Sequence, residues 1–479
     1  MNVTKVTKAT LYSVLLFALG ISSAASAKPY KLDELLDLAR KGNPGLAAGE
    51  KATAGIEAQL LEAKRSYYPT GELNSLLAQS PEIRCYTGQT SIINGKPVQD
   101  ERNCVNTGEA IGASSSGFLK AITPAGVFTR TELKLVQPLY TFGKLSAGVA
   151  AAESGVKASQ ERQVGIMADL ELNIRKAYWG AKIARELLST LNEGSKYLEQ
   201  AEKKVEDELA DGSGDVTVTD RLRLRTTRAE IEARILEAKR GADLARSGLR
   251  ALIGPGAPTD LDVDDEPLDP LSIPGRTADQ YAEAALRSRP EVKALQNMVA
   301  AKRSLADLES RKQYPDLFLV GTAAYAYASS VDTPVNAYYT DPFHSFSAGL
   351  AAGFRMPLDL FVKNARAAKL RAEADEAEQK RSEALNGIAF EIEKANAELK
   401  EAEERIKVVR KGEKAGRQWI AAIAQNLAVG LAETKDFSDA LMAFFQARVR
   451  FAQSVYDYNI AAATLTRATG TDIAMPVEK

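Results

Sequence analysis

Two aspartates three residues apart, Asp436 and Asp439, sit near the end of a 479-residue chain, where a helical stretch begins. On a helix that spacing puts both carboxylates on one face. Such a face can draw in cations, and several together can hold a multivalent ion through oxygen ligands. It can equally be a solvated surface near a helix start, where the dipole favours negative charge. Other reactive residue types are scarce, with one histidine, His344, and two cysteines, Cys85 and Cys104. A structural zinc site takes about four His or Cys ligands. A Ser-His-Asp or Cys-His arrangement would hang on His344 alone, which lies beside Phe343 and Phe346 in an expected strand. The chain has no Gly-rich phosphate loop followed by Lys-Ser/Thr and no HExxH. No enzyme, cofactor or resident metal is expected.

The charge balance, 62 Lys and Arg against 63 Asp and Glu, recommends no nucleic acid as a partner. Residues 1–27 have the form of a secretory signal. Lys5 and Lys8 precede an apolar core at 9–21, and Ala25-Ser26-Ala27 supplies the small-residue cleavage site. That core is too short for a spanning helix, which needs roughly 20 residues. No cysteine follows the cleavage site, so the mature chain is expected to begin near Lys28, unlipidated and outside the cytoplasm. No later segment is apolar enough to cross a membrane as a helix. Any membrane-spanning part must be made of strands.

The aspartate-bearing stretch has a twin. Gly430 and Asp436 lie 216 positions after Gly214 and Asp220, and Gly470 lies 216 after Gly254. Three matches in one register indicate a duplicated helical hairpin, turning at the glycine, with the aspartate opening the returning helix. The duplication reaches upstream. A short helix at 32–41, stopped by Gly42-Asn43-Pro44, precedes one from Pro44 to about Tyr67, proline being a good first-turn residue. Residues 278–288 and a helix from Pro290 to about Gln313 repeat the pair. Pro290 and Pro315 each lie 246 after Pro44 and Pro69, with a tyrosine before the later proline both times.

After each Tyr-Pro the period becomes that of a strand. In 127–135, Val127, Thr129, Thr131, Leu133 and Leu135 alternate with Phe128, Arg130, Glu132 and Lys134. Residues 346–356 alternate too, Phe346, Leu350, Phe354 and Met356 against Ser347, Gly349, Gly353 and Arg355. Partner strands are expected at about 70–79 and 316–327, where Tyr325 and Tyr327 suit a membrane interface. One apolar and one charged face fit a strand between lipid and a wet lumen; a soluble sandwich is the alternative. Four strands are too few for a sandwich core, and lipid tolerates no open edge. They make sense if several chains share one closed barrel.

The loop at about 81–124 is irregular and holds both cysteines, 19 positions apart. In a secreted chain these are expected to pair as a Cys85–Cys104 staple. Long helices follow the strands, with no proline from 144 to 211 or from 363 to 429. Each would reach about 100 Å as one helix. Met167, Leu170, Ile174, Ala181, Leu188 and Leu191, then Ile388, Ile392, Ala395, Leu399, Ala402 and Ile406, recur at the 3.5 period of left-handed coiled coils. The expected organisation is a signal peptide (1–27), a first repeat (28–254), a Pro- and Asp-rich linker (255–276), a second repeat (277–470) and a tail (471–479). Strand hairpins fall at about 70–139 and 316–357, and helical hairpins at 144–254 and 363–470. Linker and tail are expected on the outside of the helices.

This order of elements resembles the TolC-type outer-membrane efflux proteins over essentially the whole mature chain. The most recognisable pieces are Gln137-Pro138-Leu139-Tyr140-Thr141-Phe142-Gly143-Lys144 and the stretch at 429–439. The resemblance implies a mainly α fold with a small β part. It further implies a homotrimer whose twelve strands close one transmembrane β-barrel, continued by a long α-helical coiled-coil barrel across the periplasm. The outer membrane of a Gram-negative-type cell would be its site, with outer-membrane lipid around it. A periplasmic adaptor (membrane fusion) protein and an inner-membrane pump or ABC secretion transporter would deliver cargo for efflux or type I secretion. It also implies that Asp436 and Asp439 ring the periplasmic entrance and that Asp220 and Thr219 help hold it shut, with Gly214 and Gly430 at the hairpin turns. The family's best-known member has a tyrosine and an arginine latching the second hairpin. Here the positions hold Leu427 and Ala432, so the same latch cannot form. A periplasmic coiled-coil adaptor or scaffold without a channel is the competing function, but adaptors carry one hairpin and a compact β module.

Overall fold

The computed structural model describes residues 28–80, 83–85, 90–99, 104–106, 126–212, 216–333, 340–428 and 431–473. Residues 1–27, where a secretory signal is expected, the turn glycines Gly214 and Gly430 and the last residues of the tail lie outside them. In chain order the elements are β1 (Lys28–Tyr30), α1 (Leu32–Gly42), α2 (Pro44–Arg65), β2 (Thr70–Ser80), β3 (Ile83–Cys85), β4 (Thr90–Ile93), β5 (Lys96–Gln99), β6 (Cys104–Asn106) and β7 (Gly126–Tyr140). They continue with α3 (Lys144–Asp211), α4 (Val218–Ile253), β8 (Leu261–Val263), α5 (Ala278–Ser288), α6 (Pro290–Arg311), β9 (Asp316–Ala328), β10 (Ser345–Arg355), α7 (Leu360–Ala428) and α8 (Thr434–Thr469). The chain is mainly helical with a small sheet part. It divides into two compact units, each discontinuous in sequence.

One unit, Ala48–Gly165 with Arg289–Gly387, carries the main sheet. Its four antiparallel strands run in the order β10-β9-β7-β2, so the two strand hairpins lie side by side. β7 extends to Tyr140, five residues past the alternating run, because Val136 through Tyr140 keep pairing with β9 across an irregularity at Pro138. The register sorts the side chains. Leu73 and Leu77 of β2, Leu133 and Leu135 of β7, Leu319 and Tyr325 of β9, and Phe346, Leu350 and Phe354 of β10 share one face. Glu72, Arg130, Glu132, Lys134, Asp316 and Arg355 share the other. Both outer strands are edges among the described residues, and Leu77 and Phe346 stand 74% and 75% exposed there.

The loop expected to be irregular contains two short antiparallel pairs, β3 with β6 and β4 with β5. Asn94 and Gly95, both with positive φ (56° and 75°), turn the second pair as a two-residue hairpin loop requires. The backbone register sets Cys85 opposite Cys104; their side chains lie outside the described part.

The other unit, Met1–Ala47, Ile166–Ser288 and Ile388–Lys479, is built on helices. Asn43 ends α1 and starts α2. Its Oδ1 accepts from Gly45 N (2.8 Å) and Leu46 N (3.1 Å), while its Nδ2 donates to Leu252 O (2.6 Å). That is the job of an N-cap asparagine before a first-turn proline. A core of Leu35, Leu36, Leu170, Ile174, Trp179, Leu249, Ile253, Leu261 and Val263 joins α1, α3, α4 and β8. The linker is not a passive strap. β8 pairs in parallel with β1, and Leu261 and Val263 are buried.

Candidate functional site

The hairpin tips begin at helix caps. At the first, Thr217 is the N-cap of α4 and Asp220 its third residue. Asp220 N donates to Thr217 Oγ1 (3.3 Å), and Asp220 Oδ2 accepts from Thr217 N (3.0 Å) and Thr217 Oγ1 (2.6 Å). This reciprocal box satisfies two orphan amides of the first turn. The Thr217 hydroxyl holds the Asp220 carboxyl below its usual range. Asp220 therefore braces its own helix start, and Thr217, not the aspartate, opens that helix. Thr219 is exposed.

At the second tip the equivalent N-cap is Glu433, whose side chain makes no capping bond. Asp436 and Asp439 are both exposed on α8, whereas Phe437, Ser438, Ala440 and Leu441 between and beside them are buried. The helix thus turns its apolar stripe inward and leaves the two carboxylates together on the opposite face. Leu427 is half-buried against the apolar cluster at this end. Glu433 and Lys435 are exposed.

Behind the tips, Phe437, Leu441, Phe444 and Phe445 of α8 pack with Leu198 and Val205 of α3 and Leu224 and Ile231 of α4. A Cβ at Gly194 would lie 2.3 Å from the Phe445 ring, so only glycine lets the helices approach there. Thr227 and Ser438 share a buried hydrogen bond (3.0 Å) between α4 and α8. On the first hairpin, Glu202 of α3 accepts from Arg225 Nε (2.7 Å) and Arg228 Nη1 (3.1 Å) of α4. The Arg225 guanidinium, then Arg228, keep the Glu202 carboxyl below its ordinary range.

Sequence reasoning missed the anchor between linker and helices. Lys182 and Asp264 pair at 2.6 Å with side chains only 7% and 9% exposed. Tyr178 donates to Asp264 Oδ2 (2.5 Å), and Arg185 pairs with Asp262 (2.9 Å) and Asp265 (2.7 Å). Burial opposes ionisation of Asp264, but the bonds from Lys182 and Tyr178 outweigh it and hold the carboxyl low. Burial and then that carboxylate push the Tyr178 hydroxyl up. From α8, fully buried Asn459 accepts from Leu271 N and donates to Asp269 O, both at 3.0 Å. The available signal was a lysine and a tyrosine four apart within an apolar stripe, with an acidic run elsewhere to meet them.

In the sheet-bearing unit, the Gln137 to Lys144 motif is a strand-to-helix junction. Phe142 and Gly143 take positive φ (51° and 80°), the left-handed step that reverses the chain. Arg311 Nη1 donates to Gly143 O (3.0 Å), and Lys144 Nζ reaches both Tyr314 O and Asp316 Oδ1 at 2.7 Å. His344 lies just ahead of β10, not within it. Its Nδ1 bonds Asp341 Oδ2 (3.1 Å) and its Nε2 bonds Ala328 O (2.8 Å).

A family model described as outer membrane efflux protein matches residues 126–255 and 281–471, well over half of the chain. The chain belongs to that family. It is 23% identical over 454 residues to the cobalt-zinc-cadmium resistance protein CzcC of Cupriavidus metallidurans, covering 93% of this chain and 91% of that protein. The fold matches the CmeC outer membrane channel of Campylobacter jejuni with a TM-score of 0.70 at 16% identity, over 99% of this chain and 95% of that one. It matches the open state of the Neisseria gonorrhoeae MtrE outer membrane channel equally, at 0.70 and 16%, over 94% and 91%. This outer membrane efflux protein is an exit duct for efflux, seated in the outer membrane with its helical part in the periplasm. The two-faced sheet suits the first setting and the coiled-coil helices the second.

Proposed function

We propose that three copies assemble into one duct, each contributing four strands to a shared twelve-stranded barrel and two hairpins to a helical tunnel. The observation that carries this is the sheet: two outer strands with no neighbouring strand among the described residues, one apolar face and one charged face in a single chain. Lipid accepts no open edge, so copies must pair edge to edge. The duct takes cargo from an inner-membrane pump or ABC secretion transporter through a periplasmic adaptor and performs no catalysis of its own. Signal, repeats and linker divide the chain as the sequence indicates. Cys85 and Cys104, opposite each other in backbone register, staple the first strand-hairpin loop.

Asp436 and Asp439 line the periplasmic entrance, with Thr219 and Asp220 beside them. Their exposure on the face away from the apolar cluster supports this. Carboxylates roughly 8 Å apart repel by about 0.5 kcal/mol in water and about 2 kcal/mol at an effective dielectric near 20. A ring of them attracts cations. The relative's name refers to cobalt, zinc and cadmium. Within the sheet, Glu72 is opposite Lys134, Asp316 opposite Arg355, and Arg130 pairs with Glu132 along its own strand, so the charges of the wall favour neither sign and charge-based cation preference rests on the aspartates. Size and mass in detergent test the assembly. A trimer is expected, and a monodisperse monomer with full β-structure would refute the shared barrel.

A further inference from the structure

Helices leave the sheet at the Thr70 and Tyr140 end, so with the helical part in the periplasm the opposite end, at Ser80, Gly126 and Ala328, is the outer mouth. On the charged face, successive cross-strand rows toward that mouth run Glu72-Lys134-Thr322, Asn74-Glu132-Ala324, Leu76-Arg130-Ala326 and Ala78-Phe128-Ala328. Of these four rows only the last, just inside Ser80-Gly126, carries an aromatic ring; Phe318, at the helix end of the same face, lies under the Arg355 guanidinium. Phe343 meets Phe128 edge-on, ring centroids 5.8 Å apart at 78°. Beneath the pair, Ala326 and Ala328 are only 4% and 2% exposed, so this end of the face is covered where the rest is open.

Phe343 is held in place from both sides. Its N–H donates to Asp341 Oδ1 (2.8 Å), and the next residue, His344, bridges Asp341 Oδ2 and Ala328 O. Gly126 completes the fit, since a Cβ there would sit 2.3 Å from Ser330 Oγ and 2.5 Å from Ser329 Oγ. A clasp for the β9–β10 connection would need apolar volume at Phe128 and Phe343. Two rings on the wall of a water-filled passage offer more, because an aromatic face attracts cations and stacks on planar groups.

We propose that Phe128 and Phe343 form an aromatic collar in the outer mouth of the duct, a contact site for organic cations and planar apolar groups as they leave. Small residues on β9 and β10 beside it, Ala324, Ala326, Ser345 and Ser347, leave the collar standing above its surroundings. Hydrated metal ions, with no exposed apolar surface, pass it without binding. The collar rests on the shared-barrel reading, since only closure turns the charged face into a lumen.

The test uses the full mature chain in planar bilayers, with tetraphenylphosphonium added on the outer side as probe. Reversible block is expected for the native protein. Phe128→Leu with Phe343→Leu keeps apolar volume but removes the rings, and should raise the half-blocking concentration about tenfold; Phe343→Tyr should preserve block. Should the double variant fold poorly, Phe343→Leu alone should give a smaller shift in the same direction. Lanthanum ion added on the periplasmic side should block native and variant channels alike. An absent block in the native channel, or a shift under about twofold in a leucine variant of native conductance, overturns the collar and leaves the pair as a loop clasp. Loss of the trimer in detergent for the native chain would instead overturn the shared barrel.

Discussion

The two helical hairpins occupy matching places in the duplicated sequence, yet their starts are built differently. In the first, Thr217 and Asp220 satisfy each other, and Glu202 ties α3 to α4 through two arginines. In the second, Glu433 offers no side-chain cap, the Asp436 carboxylate faces solvent, and an ion pair between α7 and α8, Arg405 to Asp457, lies far from the turn. The anchors to the linker differ in the same sense. The first hairpin's α3 uses a buried ion pair, Lys182 with Asp264; the second hairpin's α8 uses neutral bonds from Asn459. In one repeat the aspartate braces its own helix start; in the other both aspartates stay exposed. Duplicated sequence sets where a hairpin falls, not how firmly its end is held.

The largest expected effect is at the anchors. Asp264→Ala strands the Lys182 ammonium in a buried site and should cost about 3–5 kcal/mol. Asn459→Ala removes two neutral hydrogen bonds, worth about 1 kcal/mol each, although it leaves buried backbone groups unpaired. Denaturant melts of the helical part should therefore rank Asp264→Ala as the more damaging. Equal losses would mean the two anchors do not differ in kind.

Caps come next. Thr217→Ala should destabilise the start of α4 by about 1 kcal/mol, and Glu433→Thr should stabilise the start of α8 by a similar amount by supplying the missing acceptor. Hydrogen exchange at the two tips reads this directly: protection at residues 218–224 should fall in the first variant and protection at 434–440 should rise in the second. No gain from Glu433→Thr would show that something other than the cap limits the second tip.

A smaller effect follows from pH. The Asp220 carboxyl is depressed below its ordinary value of 3.8 by the Thr217 hydroxyl. A depressed acid contributes stability that is present above the ordinary pKa and lost as pH falls through the folded value. The first tip's extra protection should persist at neutral pH and fade below about pH 4. If it survives unchanged at pH 3, the box is not its source. Least of all should Asp436→Ala with Asp439→Ala disturb the fold, because both side chains are exposed. In bilayers that double variant should lose cation selectivity and periplasmic block by lanthanum ion while melting as the native protein does. Selectivity that survives places the constriction elsewhere.

Both long helices, the strand pairs and the alternation of faces were readable from the sequence, because period and proline placement are local properties of the chain. Pro290 begins a helix and Tyr314-Pro315 ends one wherever they are placed. The exposed, same-face setting of Asp436 and Asp439 was likewise available from a spacing of three against buried Phe437 and Leu441. Tertiary structure alone decided the rest. That Asp264 of an acidic linker would be buried on Lys182, 82 positions earlier, depends on which helix the linker crosses, and no periodicity records that. That Phe343 would meet Phe128 depends on the pairing of β7 with β9, a register between two hairpins encoded in neither one. That Asp220 would close a capping box while Asp436 stayed open turned on one residue at each cap, Thr217 against Glu433. A threonine hydroxyl can accept from the third amide of the helix while its own backbone N–H reaches the aspartate, whereas the Glu433 side chain makes no capping bond. The sequence could place these groups on helices and strands, but bonds between distant segments form only where packing brings their atoms within about 3 Å of each other.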